Sequence, residues 1–100
     1  MILEVAILDV KQGEEINFER DFKFASQYIS SINGYLNHSL RKCVEVDSRY
    51  ILLVNWEDLK SHEVGFRTSK EYLKWKELLH HYYDPFPVVE HYETVFENNK

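Results

Sequence analysis

Residues 54–95, VNWEDLKSHEVGFRTSKEYLKWKELLHHYYDPFPVVEHYETV, decide how this chain is read. They hold both tryptophans, four of the seven tyrosines, four of the five histidines and both prolines. Aromatic side chains at that density build a core. Interleaved with His, Arg and Asn behind a strand, they can also line a pocket for a flat, apolar ligand. The segment starts inside YILLVNW (residues 50–56), an apolar run of strand length. Glu57-Asp58 then opens a short helix over residues 59–66, with Asp58 as its N-cap. Thr68-Ser69-Lys70-Glu71 has the T-x-x-E spacing of a capping box, so a further helix begins there and runs to about Tyr82. Asp84-Pro85-Phe86-Pro87 is a rigid turn, and residues 88–96 form a closing strand.

Working back from that segment, residues 2–10 are apolar on both alternating faces except at Glu4 and Asp9. This marks a strand covered on both sides. Phe18, Phe22, Ala25, Ile29 and Ile32 recur at spacings of four and three, drawing one apolar stripe along a helix. Glu14 and Glu15 favour the positive end of its dipole, and Asn33-Gly34 stops it, with Gly34 suited to a left-handed backbone. Residues 35–46 read as a polar strand. Asp47-Ser48-Arg49 turns it into the 50–56 strand as an antiparallel hairpin. The order β-α-β-β-α-β is the ferredoxin-like, split βαβ arrangement of an α+β domain. One domain is expected over residues 1–96, with a disordered tail at 97–100. Helices cover one face of the sheet. The first and third strands are apolar on both sides, so a second copy of the chain is expected on the other face.

Charge and cysteine content narrow the partners. The net charge of −5 argues against a phosphate-tracking surface, so nucleic acid is not an expected partner. MILEVAILDV has no basic n-region and carries Glu4 and Asp9, unlike a secretory signal. No apolar run nears the roughly 20 residues that span a bilayer, so a cytoplasmic protein with no membrane partner is expected. Cys43 is the single cysteine, which leaves no internal disulfide to form. No histidine pair has the i, i+4 or H-x-H spacing of a metal site, and no metal is expected.

A strand ending Val54-x-Trp56-Glu57-Asp58, a helix carrying Gly65-Phe66-Arg67 and Ser69, then Tyr72-Leu73-x-Trp75 and a closing Pro87-x-Val89-x-His91-Tyr92, resembles the antibiotic biosynthesis monooxygenase family. The resemblance runs from Ile2 to Val95. It implies a homodimer in which two ferredoxin-like sheets pack face to face as a dimeric α/β barrel. It also implies oxidation of phenols or quinols by O2 with neither metal nor flavin; relatives degrade haem. In the family's aromatic-polyketide oxygenases an amide, an indole and a phenol recur where this chain has His62, Phe66 and Tyr72. Tyr72 matches. Phe66 keeps the aromatic wall without an indole N–H, and His62 puts a titratable ring where an amide stands. The haem-degrading branch uses an Asn on the first strand, and LEVAILDV has none. Its Trp and His also occur in a different order from Trp75 and His80.

The resemblance therefore implies a monooxygenase acting on a small aromatic or quinol-like compound, without a cofactor. Tyr72 is the expected donor and His62 the expected base, a role its ordinary pKa near 6.5 suits. Phe66, Trp75, Asn55, His38, His91 and Arg67 are the expected pocket. Each has a plainer role open to it. Tyr72 and Trp75, three apart on one helix face, could simply pack on the sheet with Leu79, and Leu59 and Leu73 also read as core. Asn55 could cap the next helix, and Arg67 could pair with Glu63 or Glu71. His80 and His81 read as a helix C-terminus that favours positive charge. Glu4 stands out in its strand: paired it is structural, and unpaired in a cavity its pKa rises. The alternatives from other classes are a non-catalytic barrel that binds a hydrophobic ligand or haem, and a barrel filled by its own side chains.

Overall fold

The computed structural model describes residues Met1–Lys100. Four strands, β1 (Ile2–Asp9), β2 (Tyr35–Lys42), β3 (Arg49–Trp56) and β4 (Val89–Tyr92), form one sheet in the order β2-β3-β1-β4. Every pairing is antiparallel. Helices α1 (Glu15–Ile29) and α2 (Lys70–Leu79) lie on one face, giving the expected ferredoxin-like α+β fold. A π-helix, Ser61–Phe66, joins β3 to α2, and a 3-10 turn, His80–Tyr82, follows α2. No helix is long and apolar enough to cross a membrane.

The strand period of two sorts β1 into two sets. Glu4, Ala6 and Leu8 are buried under the helices, and Tyr50, Leu52, Val54 and Trp56 of β3 join them. From α1 come Phe18, Phe22, Ala25 and Ile29, and from α2 Trp75 and Leu79. Leu3, Val5, Ile7, Ile51 and Leu53 occupy the opposite face, partly open.

Several boundaries differ from those expected. Helix α1 stops at Ile29 rather than Ile32, because Ser31 and Ile32 turn back to Tyr28 and Ile29 through i→i+3 bonds ahead of Gly34, at φ 92°. β2 ends at Lys42 rather than residue 46. Cys43 N–H reaches Arg49 O, and Val44 and Val46 swing out to solvent. β4 stops at Tyr92, which faces Leu3, so residues beyond it run past the start of β1. Ser69, not Thr68, caps α2: its Oγ accepts from Tyr72 N–H at 3.1 Å, while Thr68 is still bonded back to Val64 O. Asp58 does cap the segment after β3, accepting from Ser61 N–H at 2.8 Å. Leu59 and Leu73 are exposed, and of the three leucines expected in the core only Leu79 is buried.

Candidate active site

Between the sheet and the helices lies a cavity of about 360 Å³, within the range of small-ligand sites. It is on the helix side of the sheet, not on the face where a second copy was expected to close a barrel. Glu4, Ala6, Leu8 and Leu52 make its floor, and Val89 closes one edge. The π-helix hangs His62 and Phe66 over that floor. Its i→i+5 character is carried by the bond from Arg67 N–H to His62 O, 3.1 Å, and such turns recur at functional sites. Helix α2 adds Tyr72 and Trp75, and the segment after it adds His80, Tyr83 and Phe86.

A polar chain runs along the floor. Trp56 Nε1–H donates to Glu4 Oε1 at 2.9 Å, and His62 Nε2 lies 3.3 Å from the same oxygen. His62 Nδ1 is 2.7 Å from His91 Nε2. An Nε2–H tautomer of His62 directs its proton at Glu4 and leaves Nδ1 to accept from His91, so one assignment serves both neighbours. The His62 ring also stacks on the Trp56 indole at 5.3 Å and 20°. Because His62 faces its partners through opposite nitrogens, these groups do not converge on one metal position, and no other His, Cys, Asp or Glu set does.

Burial sets the charge states. Loss of solvation raises the Glu4 carboxyl above its ordinary range, against the Trp56 hydrogen bond and the Arg67 cation, which pull it down. Burial pushes His62 down to about 3, helped by Arg67 and His91, so it is neutral at pH 7. His80 falls to about 4 through burial, Lys76 and Arg67. It is therefore not the positive helix end expected; the neighbouring His81 ring lies 3.0 Å from Leu78 O. Tyr83 is raised by burial. Glu4 and His62 thus sit side by side with the charged form of each disfavoured.

Of the expected site residues, His62, Phe66, Arg67, Tyr72 and Trp75 meet in the cavity. Phe66 packs edge-on against Tyr72 at 5.1 Å and Trp75 at 5.7 Å. His91 backs the site through His62. Asn55 does not belong to it: it points to the opposite sheet face, where its Nδ2–H donates to Asn37 Oδ1 at 2.9 Å. His38 lies on the helix face but outside this cavity, bonded to Ser26 Oγ at 2.9 Å and Tyr35 OH at 2.5 Å. A bulge between Tyr35 and Asn37 puts Tyr35 beside it. Glu4, His80, Tyr83 and Phe86 also line the cavity, beyond the residues expected there. For Glu4 the signal was present, a lone carboxylate in an apolar strand. Those around the Pro-x-Pro turn are brought in by the path of the chain after α2, which spacing does not report.

Comparison with known proteins places the chain in a family. The family model described as antibiotic biosynthesis monooxygenase matches residues 1–78. The chain belongs to the antibiotic biosynthesis monooxygenase family. It is 50% identical over 95 residues to the Bacillus subtilis protein YczJ, covering 95% of this chain and all of that one. A Bordetella bronchiseptica structure assigned to the same family superposes with a TM-score of 0.90 at 30% identity, covering 95% of this chain and 97% of the other. SnoaB of Streptomyces nogalater, a cofactor-independent oxygenase, gives 0.74 at 18% identity over 97% and 94% of the two chains. The MhuD R26S variant, with two manganese protoporphyrin IX per active site, gives 0.75 at 16% identity over both full chains. At those identities SnoaB and MhuD share the fold alone. The antibiotic biosynthesis monooxygenase model stops at Leu78, so His80, Tyr83, Phe86 and His91 lie in the part of the site it does not reach.

Proposed function

We propose that this antibiotic biosynthesis monooxygenase family member is a cofactor-independent oxygenase of a small aromatic or quinol-like compound. The observation that carries the reading is the Trp56–Glu4–His62–His91 chain at the floor of an aromatic cavity. Such chemistry needs a base near neutrality, a donor for the developing anion and a site with little water. Glu4, raised by burial, supplies the base and takes a proton from an activated ring CH2 or phenol. His62 alone is too weak a base with a pKa near 3. It holds Glu4 in place, its Nε2–H turned toward the carboxyl and its Nδ1 accepting from His91. Tyr72 hydrogen-bonds the substrate oxygen as charge builds on it.

The substrate supplies all the electrons. The carbanion gives one electron to O2, the radical pair combines into a peroxide, and protonation and collapse expel water. A CH2 plus O2 becomes C=O plus H2O. The oligomer proposed with this reading is a homodimer packed through Leu3, Val5, Ile7, Ile51 and Leu53, the apolar face left by the helices.

Oxygen uptake with anthrone as substrate tests the activity. Wild type is expected to consume oxygen faster than buffer, and a Tyr72→Phe, His62→Ala double variant is expected to lose most of that excess. Uptake no faster than buffer removes the reading for this substrate class. A haem titration run alongside distinguishes the binding-protein alternative by a Soret shift.

A further inference from the structure

Four polar side chains line the upper part of this cavity with no partner inside the chain. The three ion pairs join Arg20 to Asp21, Arg49 to Asp9 and His62 to Glu4, and leave Arg67 out. The tyrosine hydroxyls bonded within the chain belong to Tyr35, Tyr50, Tyr82 and Tyr92, not to the cavity's Tyr72 and Tyr83. The rings of His38, His62, His81 and His91 are all bonded, whereas that of His80 is not. The floor of the site is internally satisfied, but its upper wall is not. None of these side chains is an unsatisfied buried group: Arg67 is exposed, and the polar atoms of Tyr72, His80 and Tyr83 are open to water, which a ligand's own polar group can displace.

Their charges are unbalanced as well. Arg67 is the only permanent cation among the lining residues, and it acts on Glu4, His62 and His80 alike. Glu4 is the only acid there; Arg67 draws its pKa down, but the two form no ion pair. A guanidinium fork beside two phenols and a neutral imidazole suits a planar, two-oxygen anion.

We propose that the ligand of this cavity is an aromatic acid, its ionised group held by Arg67 with Tyr72, His80 and Tyr83, and its rings against Phe66 and Trp75. The inference rests on the reading of the cavity as an aromatic substrate site and assigns that substrate its charge. Reaction at a ring position over Glu4 then occurs at a fixed distance from the acid group.

Isothermal titration at pH 7.5 with 1-hydroxy-2-naphthoate and with 1-naphthol tests it, since the two differ in the carboxylate. The acid is expected to bind wild type at least about tenfold more tightly, the yield of one charge-assisted hydrogen bond. Arg67→Gln, a change at an exposed side chain, is expected to abolish the advantage of the acid over naphthol. Equal binding of the two probes to wild type overturns the proposal but leaves the aromatic site standing. So does a preference for the acid that survives Arg67→Gln, or one lost in Lys42→Gln, which belongs to the separate pocket beside His38. If neither probe binds, the aromatic-site reading fails together with it.

Discussion

Trp56 and Glu4 are diagonal neighbours across β3 and β1, and the indole N–H donates to Glu4 Oε1 at 2.9 Å where both are buried. The bond holds a carboxyl that burial would otherwise render unfavourable, and it fixes which oxygen faces His62. Replacing the carboxyl by an amide keeps the acceptor and removes the ionisation. Glu4→Gln is expected to fold, to match or exceed wild-type stability at pH 8, and to lose at least about a hundredfold of the oxygen uptake, the scale of a general base. Denaturant unfolding and an oxygen electrode measure the two halves. Retained uptake in Glu4→Gln would assign the base elsewhere.

Trp56→Phe removes the donor and leaves the ring. The Glu4 oxygen then loses its strongest bond in a buried place, which costs about 1–3 kcal/mol. Because the Trp56 hydrogen bond is a cause that lowers the Glu4 pKa, its loss is expected to raise that pKa further. Carboxyl titration followed by infrared or NMR in the two proteins gives the direction. An unchanged titration would show that the indole does not set it.

Much of this fold is written in local periodicity. The stripe Phe18, Phe22, Ala25 and Ile29 and the alternation of Tyr50, Leu52, Val54 and Trp56 place α1 and β3 from spacing alone. Boundaries that depend on a partner were not legible: β4 ends where β1 has no more residues to pair with, and Ser69 caps α2 because Thr68 is still held by the π-helix. The site divides the same way. His62, Phe66, Arg67, Tyr72 and Trp75 lie within fourteen positions of one another, so the sequence itself groups them. Asn55 was misplaced by the face its strand position gives it, since Asn55 alternates with the buried Val54 and Trp56. Glu4 meets His62 only through the pairing of β1 with β3 and the return of the π-helix, a contact 58 positions apart that no spacing rule contains.

Acid should destabilise the native state through its buried histidines. His62 has a folded pKa of about 3 against an ordinary 6.5, so between those values the unfolded chain holds a proton the native chain does not. Stability from this group is complete above pH 6.5 and is lost as pH falls toward 3. His80, at about 4, acts in the same direction. Glu4 acts oppositely: raised above 4.5, it gives native stability that is complete below 4.5 and lost as pH rises through its folded value. Urea unfolding at pH 7 and pH 5 is expected to show a loss in wild type, of which His62 supplies up to about 2 kcal/mol. His62→Gln is expected to show a smaller loss. Equal losses in the two proteins would mean that His62 titrates normally.

The π-helix that carries His62 and Phe66 rests on Gly34. Gly34 sits at φ 92°, and a Cβ there would fall 2.6 Å from Ser61 Cβ and closer still to its Oγ. Ser61 is also the residue Asp58 caps, so it cannot move without disturbing the start of the helix. Gly13 offers the control: its φ is 88°, yet a Cβ there meets nothing within 4 Å. Gly13→Ala therefore incurs the left-handed backbone cost alone, about 1–2 kcal/mol. Gly34→Ala adds the overlap with Ser61, and is expected to cost more than Gly13→Ala by about 1–3 kcal/mol. It should also move His62 off Glu4, visible as a His62 imidazole pKa that climbs back from about 3 in an NMR titration, whereas Gly13→Ala leaves that value in place. Equal costs for the two alanines, with His62 unmoved in both, would show that the β2 entry does not set the position of the π-helix.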